Sequence, residues 1–298
     1  MRTDKSRKRF VFLCVAPATI LFFLFMILPT LNVFRMSLYE RGAYSPNETF
    51  VGLKNFQHLL RDAQFIRSMQ NMILLVVTVT LITFAFALVF AAILTREKIK
   101  GQNFFRIIFY IPNILSVVVI SGIFSAIYKP ENGMLNSIIG LFRDMTDPIL
   151  WKGEKLVIPS IILAMVWQAV GYYMVIYIAS LQSVSEDLTE AARIDGSSEF
   201  GTFNRIVLPM IKPALAVQAI FTFVGAWNNY FTPALILNSA NKKTLPILIA
   251  QLRSADFLKF DMGQVYMMIA LSILPVIIVY LFLSKFIIAG VAVGGGKE

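Results

Sequence analysis

The sequence predicts an all-α, polytopic membrane protein with about six transmembrane helices. Three observations carry that prediction. Hydrophobic residues make up 57% of the 298 residues and charged residues 15%, where soluble domains carry about 25% charged residues. The charges fall in short blocks that separate six charge-free windows: Phe10–Phe34, Ser68–Thr95, Ile107–Tyr128, Leu156–Ser185, Pro213–Asn241 and Met262–Ser284. Each window exceeds the roughly 20 residues that cross a hydrocarbon core, and none shows the dyad alternation of a barrel strand. Charge gaps mark spans because a lone charge at a helix centre costs about 2.5–3.5 kcal/mol.

The first window follows a basic stretch, Met1–Arg9, and so invites comparison with a signal peptide. Its apolar run outlasts an h-region of about 7–15 residues and no A-x-A site follows, so a retained helix is expected. Cys14 lies inside it as a lipid- or helix-facing packing residue; Val11-Phe12-Leu13 lacks the small residues of a lipoprotein cleavage site. The basic flanks Arg2–Arg9 and Arg96–Arg106 favour a cytoplasmic N-terminus, and six spans then return the C-terminus to the same side of a bacterial inner membrane. Residues 1–67 are expected to form the first helix with an external loop, and 68–298 a five-helix core with an internal connection at 185–213.

Two external connections are long enough for structure of their own. Arg35–Arg67 holds the turn signal Ser45-Pro46-Asn47 and the apolar run Phe50–Phe56, FVGLKNF. Lys129–Lys155 holds Pro130, Gly133 and Pro148, which suggest short interfacial helices. A solvated loop with interfacial anchors and a partner-binding surface stand equal for both. The net charge of +10 reads as topology signals and contacts with membrane lipid headgroups, not as nucleic-acid binding. One cysteine and one histidine, His58, exclude a disulfide framework or a dense metal site built by this chain alone. No inverted repeat of the secondary-transporter kind is visible.

The informative stretch is Glu186–Lys212, EDLTEAARIDGSSEFGTFNRIVLPMIK. Ser185 fits an N-cap, with Glu186 and Asp187 suited to a helix N-terminus. Leu188, Ala191, Ala192 and Ile194 supply small and apolar faces, and Gly196 fits the C′ position that ends a helix. Ser197 or Ser198 then caps a second helix with Phe200, Phe203, Ile206 and Val207, stopped by Pro209. Two short helices meeting at a glycine make a knob on the membrane surface. Either it docks into another protein, or its phenylalanines cover the ends of the chain's own helices.

The segment closely resembles the EAA loop of binding-protein-dependent ABC importer permeases, through Glu190, Ala191, Ala192, Asp195, Gly196, Phe203, Leu208, Pro209 and Pro213. The resemblance runs from about Asn71 to the C-terminus. It implies that Glu190, Ala191, Ala192, Asp195, Gly196, Phe200 and Phe203 couple the chain to a cytoplasmic ATPase, and that this loop faces the cytoplasm. It further implies a second homologous permease, two ABC ATPase subunits and an extracellular solute-binding protein as partners. Two absences from the sequence agree. No G-x-x-x-x-G-K-[ST] loop occurs, so ATP and Mg are expected on the partner ATPase with no cofactor in this chain. No Asp, Glu, Lys or Arg lies inside the windows to mark an ion relay. The chain is expected to be a transport component, not an enzyme.

For cargo, Gln168 and Tyr172 lie one turn apart with Tyr173 beside them, and the fifth window holds Trp227, Asn228 and Asn229. Aromatic rings stacking on sugar faces, with amides reaching hydroxyls, would make a weak carbohydrate site. Tyr and Trp also build interfacial belts, and Asn or Gln glue helices together. FVGLKNF, Phe105–Asn113 (FRIIFYIPN), Trp227-Asn228-Asn229 and Thr244-Leu245-Pro246 resemble the carbohydrate branch of these importers, which implies a sugar or oligosaccharide cargo. A non-sugar importer permease and a gated channel are the alternatives. A channel has no use for the knob, so substituting Glu190 or Gly196 separates them.

Overall fold

The computed structural model describes residues 4–42, 47–95, 99–144, 147–237, 239–254 and 261–294; the Ser45-Pro46 part of the predicted turn lies outside them. Five helical segments are long and apolar enough to cross a membrane: Ser6–Met36, Ala63–Thr95, Val157–Gln182, Glu199–Trp227 and Met262–Lys285. A bent pair, Gln102–Ile114 and Val117–Ile127, makes the sixth crossing if taken as one span. In chain order the helices are α1 (Asp4–Phe22), α2 (Leu28–Met36), α3 (Lys54–Leu59), α4 (Ala63–Thr95), α5 (Gln102–Ile114), α6 (Val117–Ile127) and α7 (Met134–Gly140). They continue as α8 (Val157–Gln182), α9 (Glu186–Ile194), α10 (Glu199–Thr202), α11 (Leu208–Trp227), α12 (Phe231–Ile236), α13 (Leu245–Ser254) and α14 (Met262–Gly294).

Two windows read as single spans are broken. The third bends by 101° between α5 and α6. Ser116 is the reason: it leaves the helical region and its hydroxyl accepts the Val119 N–H at 3.3 Å, starting a new helix. The fifth ends early at Trp227. Asn229 Oδ1 accepts the Thr232 N–H at 3.1 Å and so opens α12. At its other end Pro209 does not stop a separate second helix, as the sequence suggested: the fifth span runs back through Pro213 and Pro209 to Glu199. A π turn at Phe203–Val207 makes this possible, closed by the Leu208 N–H on the Phe203 carbonyl. The wider turn accommodates a proline that would otherwise clash with the carbonyl four residues back. The first span repeats the device, with a π turn at Phe23–Ile27 ahead of Leu28-Pro29.

The chain divides into two compact units. In the unit Ile66–Leu248 with Pro275–Glu298, α8 is the centre: 56% of its apolar window is buried within the chain. Gly171 admits the backbone of α5 so closely that a Cβ would sit 1.8 Å from the Phe109 carbonyl oxygen. Small residues permit such approach in membranes, where packing replaces the hydrophobic drive. Around this contact Phe84 meets the rings of Tyr173 and Tyr177, each at 5.6 Å, and Phe90 stacks on Phe109 at 4.7 Å. Ala87, Ala91 and Met174 fill the remaining core.

The N-terminal end of α8 is tied down by polar bonds. Tyr128 OH donates to the Ser160 carbonyl at 2.7 Å, and Ser160 Oγ donates to the Trp151 carbonyl at 2.8 Å. Trp151 Nε1 donates to Asn136 Oδ1 at 2.8 Å, and the Asn136 amide donates to the carbonyls of Pro130 and Ile149 at 3.0 Å each. Asn71 Nδ2 donates to the carbonyls of Asn241 and Lys243 at 3.0 and 3.1 Å.

The unit Met1–Phe65 with Ile249–Leu274 is built on a small staple. Strands β1 (Tyr39–Glu40) and β2 (Thr49–Phe50) pair antiparallel. Buried Asn55 of the FVGLKNF run donates to the carbonyls of Ser37 and Tyr39, each at 3.0 Å. Gly263 leaves room for that backbone, since a Cβ there would lie 1.9 Å from Tyr39 O. Asp261 Oδ1 accepts the N–H groups of Gly263 and Arg41 at 2.8 and 3.3 Å. This stretch is therefore folded structure, not a solvated loop. The first helix has none of its apolar window buried within the chain, and Cys14 is exposed on it.

Candidate functional site

The stretch between α8 and α11 forms the predicted knob. Ser185 takes the N-cap position of α9 with extended backbone, while its side chain makes no capping bond. The C-terminus is a full Schellman motif: the Gly196 N–H reaches the Arg193 carbonyl at 3.0 Å and the Ser197 N–H the Ala192 carbonyl at 2.9 Å. Gly196 holds φ +79°, a left-handed conformation that costs other residues energy. Ser198 then caps α10, accepting the Gly201 N–H at 3.1 Å. Arg193 and Glu199 pair across the bend at 3.0 Å.

The knob turns much of its apolar surface outward. Phe200 is 76% exposed, and Leu188 and Ile194 are exposed with it. Glu190, Ala191, Asp195 and Gly196 also lie on the surface, and nothing lies within 4 Å of a Cβ built at Gly196. Ala192 is buried inside the knob and Phe203 is half-buried, at the start of the π turn. The two predicted phenylalanines thus divide: Phe203 leans on the chain's own structure and Phe200 does not.

The predicted cargo residues divide in the same way. Tyr172 and Asn228 are exposed, and Gln168 and Asn229 are half-buried. Trp227 is 3% exposed and stacks on Phe223 at 5.5 Å, and Tyr173 is buried in the core. Asn228 donates to the Val224 carbonyl at 3.0 Å, and the Asn229 oxygen is committed to capping α12. Sequence reasoning missed a set of buried hydroxyls and amides on α4 and α11. Thr222 Oγ1 donates to the Gln218 carbonyl at 2.8 Å. Thr80 Oγ1, Thr83 Oγ1, Tyr177 Oη and Gln218 Oε1 are buried without a hydrogen-bond partner among the described residues. The available signal was spacing: Thr80 and Thr83 at i, i+3, and Gln218 and Thr222 at i, i+4, each share one face of a helix.

Apolar spans, two of them broken, and a surface knob turning at Gly196 fit a membrane-spanning transport subunit. The chain matches the family described as binding-protein-dependent transport system inner membrane component over residues 87–292. It belongs to that family, and is a multi-pass membrane transport component, not an enzyme. Among curated relatives it is 32% identical to the "Probable ABC transporter permease protein YurN" of Bacillus subtilis (strain 168), covering 85% of this chain and 87% of the relative. It is 27% identical to the "Diacetylchitobiose uptake system permease protein NgcF" of Streptomyces coelicolor, covering 93% of this chain and 81% of that protein. It is 32% identical to the "Lactose transport system permease protein LacF" of Rhizobium radiobacter, covering 72% and 71% respectively. Its fold is that of a chain in the crystal structure of a bacterial ABC transporter involved in the import of the acidic polysaccharide alginate. That match has a TM-score of 0.77 at 21% identity and covers 95% of this chain and 96% of the other.

Proposed function

We infer that this chain is one of two membrane subunits of an ATP-driven importer that brings a carbohydrate into a bacterial cytoplasm. The observation that carries the reading is the outward-facing knob: Leu188, Ile194 and Phe200 exposed around a rigid turn at Gly196. Large apolar side chains left in water are unfavourable, and a cleft in a partner ATPase would cover them. In this reading the knob and both termini are cytoplasmic. Glu190, Ala191, Asp195, Gly196 and Phe200 meet the ATPase, while Ala192 and Phe203 hold the knob to the bundle. ATP and Mg bind to two ATPase subunits, and their closure reaches α8 and α11 through the two ends of the knob. A second homologous permease completes the pathway, and a solute-binding protein delivers cargo from outside.

Relatives named for diacetylchitobiose and lactose uptake support a sugar as cargo, as do the six charge-free windows of the sequence. Tyr172 and Gln168 are the side chains this reading assigns to the pathway. Trp227 and Tyr173 support them from within the fold, and Asn228 and Asn229 shape the break after α11. The test is to tag the chain, extract it gently from its native membrane, identify what co-purifies and measure uptake of labelled sugars and amino acids in the reconstituted complex. Recovery of a P-loop ATPase and a second permease, with sugar-stimulated ATP hydrolysis, is the expected result. A chain that purifies alone or as a homo-oligomer overturns the pairing.

A further inference from the structure

The short helix α7 and the turn that follows it present a face that the chain itself leaves bare. Met134 and Ile138, at i and i+4, share one side of the helix, and Leu141 and Phe142 follow in the turn that closes it. All four are exposed, Leu141 at 80% and Phe142 at 86%. On the opposite side Asn136 is buried and held by its bonds to Pro130, Ile149 and Trp151. The helix is thus fixed in place with its apolar side turned away from the protein.

Its depth follows from what it is fixed to. Pro130, whose carbonyl accepts the Asn136 amide, lies three residues beyond the end of α6, within about 10 Å of the end of that crossing. Trp151 stacks on Tyr128 with ring centroids 6.2 Å apart, and Tyr128 is bonded to Ser160 in the first turn of α8. The ends of two apolar helices that cross a bilayer lie at the border between hydrocarbon and headgroups. The headgroup region spans about 5–8 Å on each side of the hydrocarbon core, comparable with the reach of that three-residue link. The adjoining α6 also leaves apolar side chains bare, Ile123 near its α7 end and Val118 and Val119 near its start.

We propose that α7 is an in-plane membrane anchor, with Met134, Ile138, Leu141 and Phe142 seated at the boundary between lipid headgroups and acyl chains. Charges around the face balance, Lys129 and Arg143 against Glu131 and Asp144. The contact is therefore apolar and indifferent to anionic lipid and to salt. The anchor holds the shared end of α6 and α8 at fixed depth, at the end of α8 opposite the knob. The proposal rests on the chain crossing a membrane and is independent of its cargo.

The test uses the full chain, in whatever assembly it purifies, reconstituted in phosphatidylethanolamine vesicles with and without phosphatidylglycerol. Cys14 is replaced by serine, and spin labels are placed singly through Ile138→Cys, Phe142→Cys, Ser137→Cys and Gly140→Cys. Labels at 138 and 142 should collide with oxygen several-fold more, relative to a water-soluble nickel chelate, than labels at 137 and 140. That contrast should be the same at low and high salt and in both lipid mixtures. Equal nickel accessibility at all four positions would place the face in water and overturn the anchor. Labels at 138 and 142 that are immobile and shielded from both reagents would assign the face to a protein partner and overturn it equally.

Discussion

Gly196 offers the sharpest test of how the knob works, because its geometry separates backbone strain from bulk. Its φ of +79° lies in the left-handed region, yet a Cβ added there meets nothing within 4 Å. Gly196→Ala therefore introduces no clash within the chain. It adds only the left-handed penalty, about 1–2 kcal/mol. An energy of that size shifts an ordered-to-disordered ratio about 5–30-fold, so α9 and α10 would hold their mutual angle correspondingly less often. Asn tolerates the left-handed region better, so Gly196→Asn should regain much of the loss. Gly196→Val, β-branched, should be the worst of the three. The assay is retention of the ATPase on the tagged chain, alongside ATP-driven uptake, with the predicted order glycine, Asn, Ala, Val. Asn falling below Ala would mean that bulk against the partner, not backbone strain, controls the site. Ala matching the wild type would remove the argument for the Schellman turn altogether.

Other substitutions test the fold and the pathway separately. Gly171→Ala drives a methyl into the Phe109 backbone, where no flexible side chain can yield, and should cost about 3 kcal/mol; thermal unfolding in detergent reads it. Asn55→Leu leaves the carbonyls of Ser37 and Tyr39 without their donor and should cost about 2 kcal/mol, measured the same way. Trp227→Ala empties a buried, stacked position and should destabilise by about 3–5 kcal/mol. Tyr172→Ala, at an exposed site, should leave unfolding unchanged and instead raise the sugar concentration needed for half-maximal uptake. Matching stability losses for the Trp227 and Tyr172 variants would undo the division between support and pathway.

The spans were legible because charge exclusion is a property of composition, and composition survives any bend. For the same reason the bends were not legible. Charge counting cannot see that Ser116 caps a new helix within an apolar run, or that Asn229 does so after Trp227. Gly196 was found because helix termination is local chemistry written within a few residues. Which tyrosine faces inward was not, since α8 is apolar on every side and periodicity carries no contrast there. Asn71, Asn136 and Asn55 stayed hidden for a different reason. Each spends its amide on backbone carbonyls elsewhere in the chain, in the case of Asn71 some 170 and 172 positions away, and carbonyls carry no sequence identity.

The π turn at Phe203–Val207 sets an angle as well as absorbing a proline. One surplus residue in a helix advances the phase of everything beyond it by about 100°. The bearing at which the knob leaves α11 is thus indexed in whole-residue steps, like a gear tooth. Deleting a single residue between Phe203 and Val207 would swing the knob about a quarter-turn around the axis of α11 and return Pro209 to its clash with the carbonyl four residues back. Every side chain of the knob would survive such a deletion, aimed in the wrong direction.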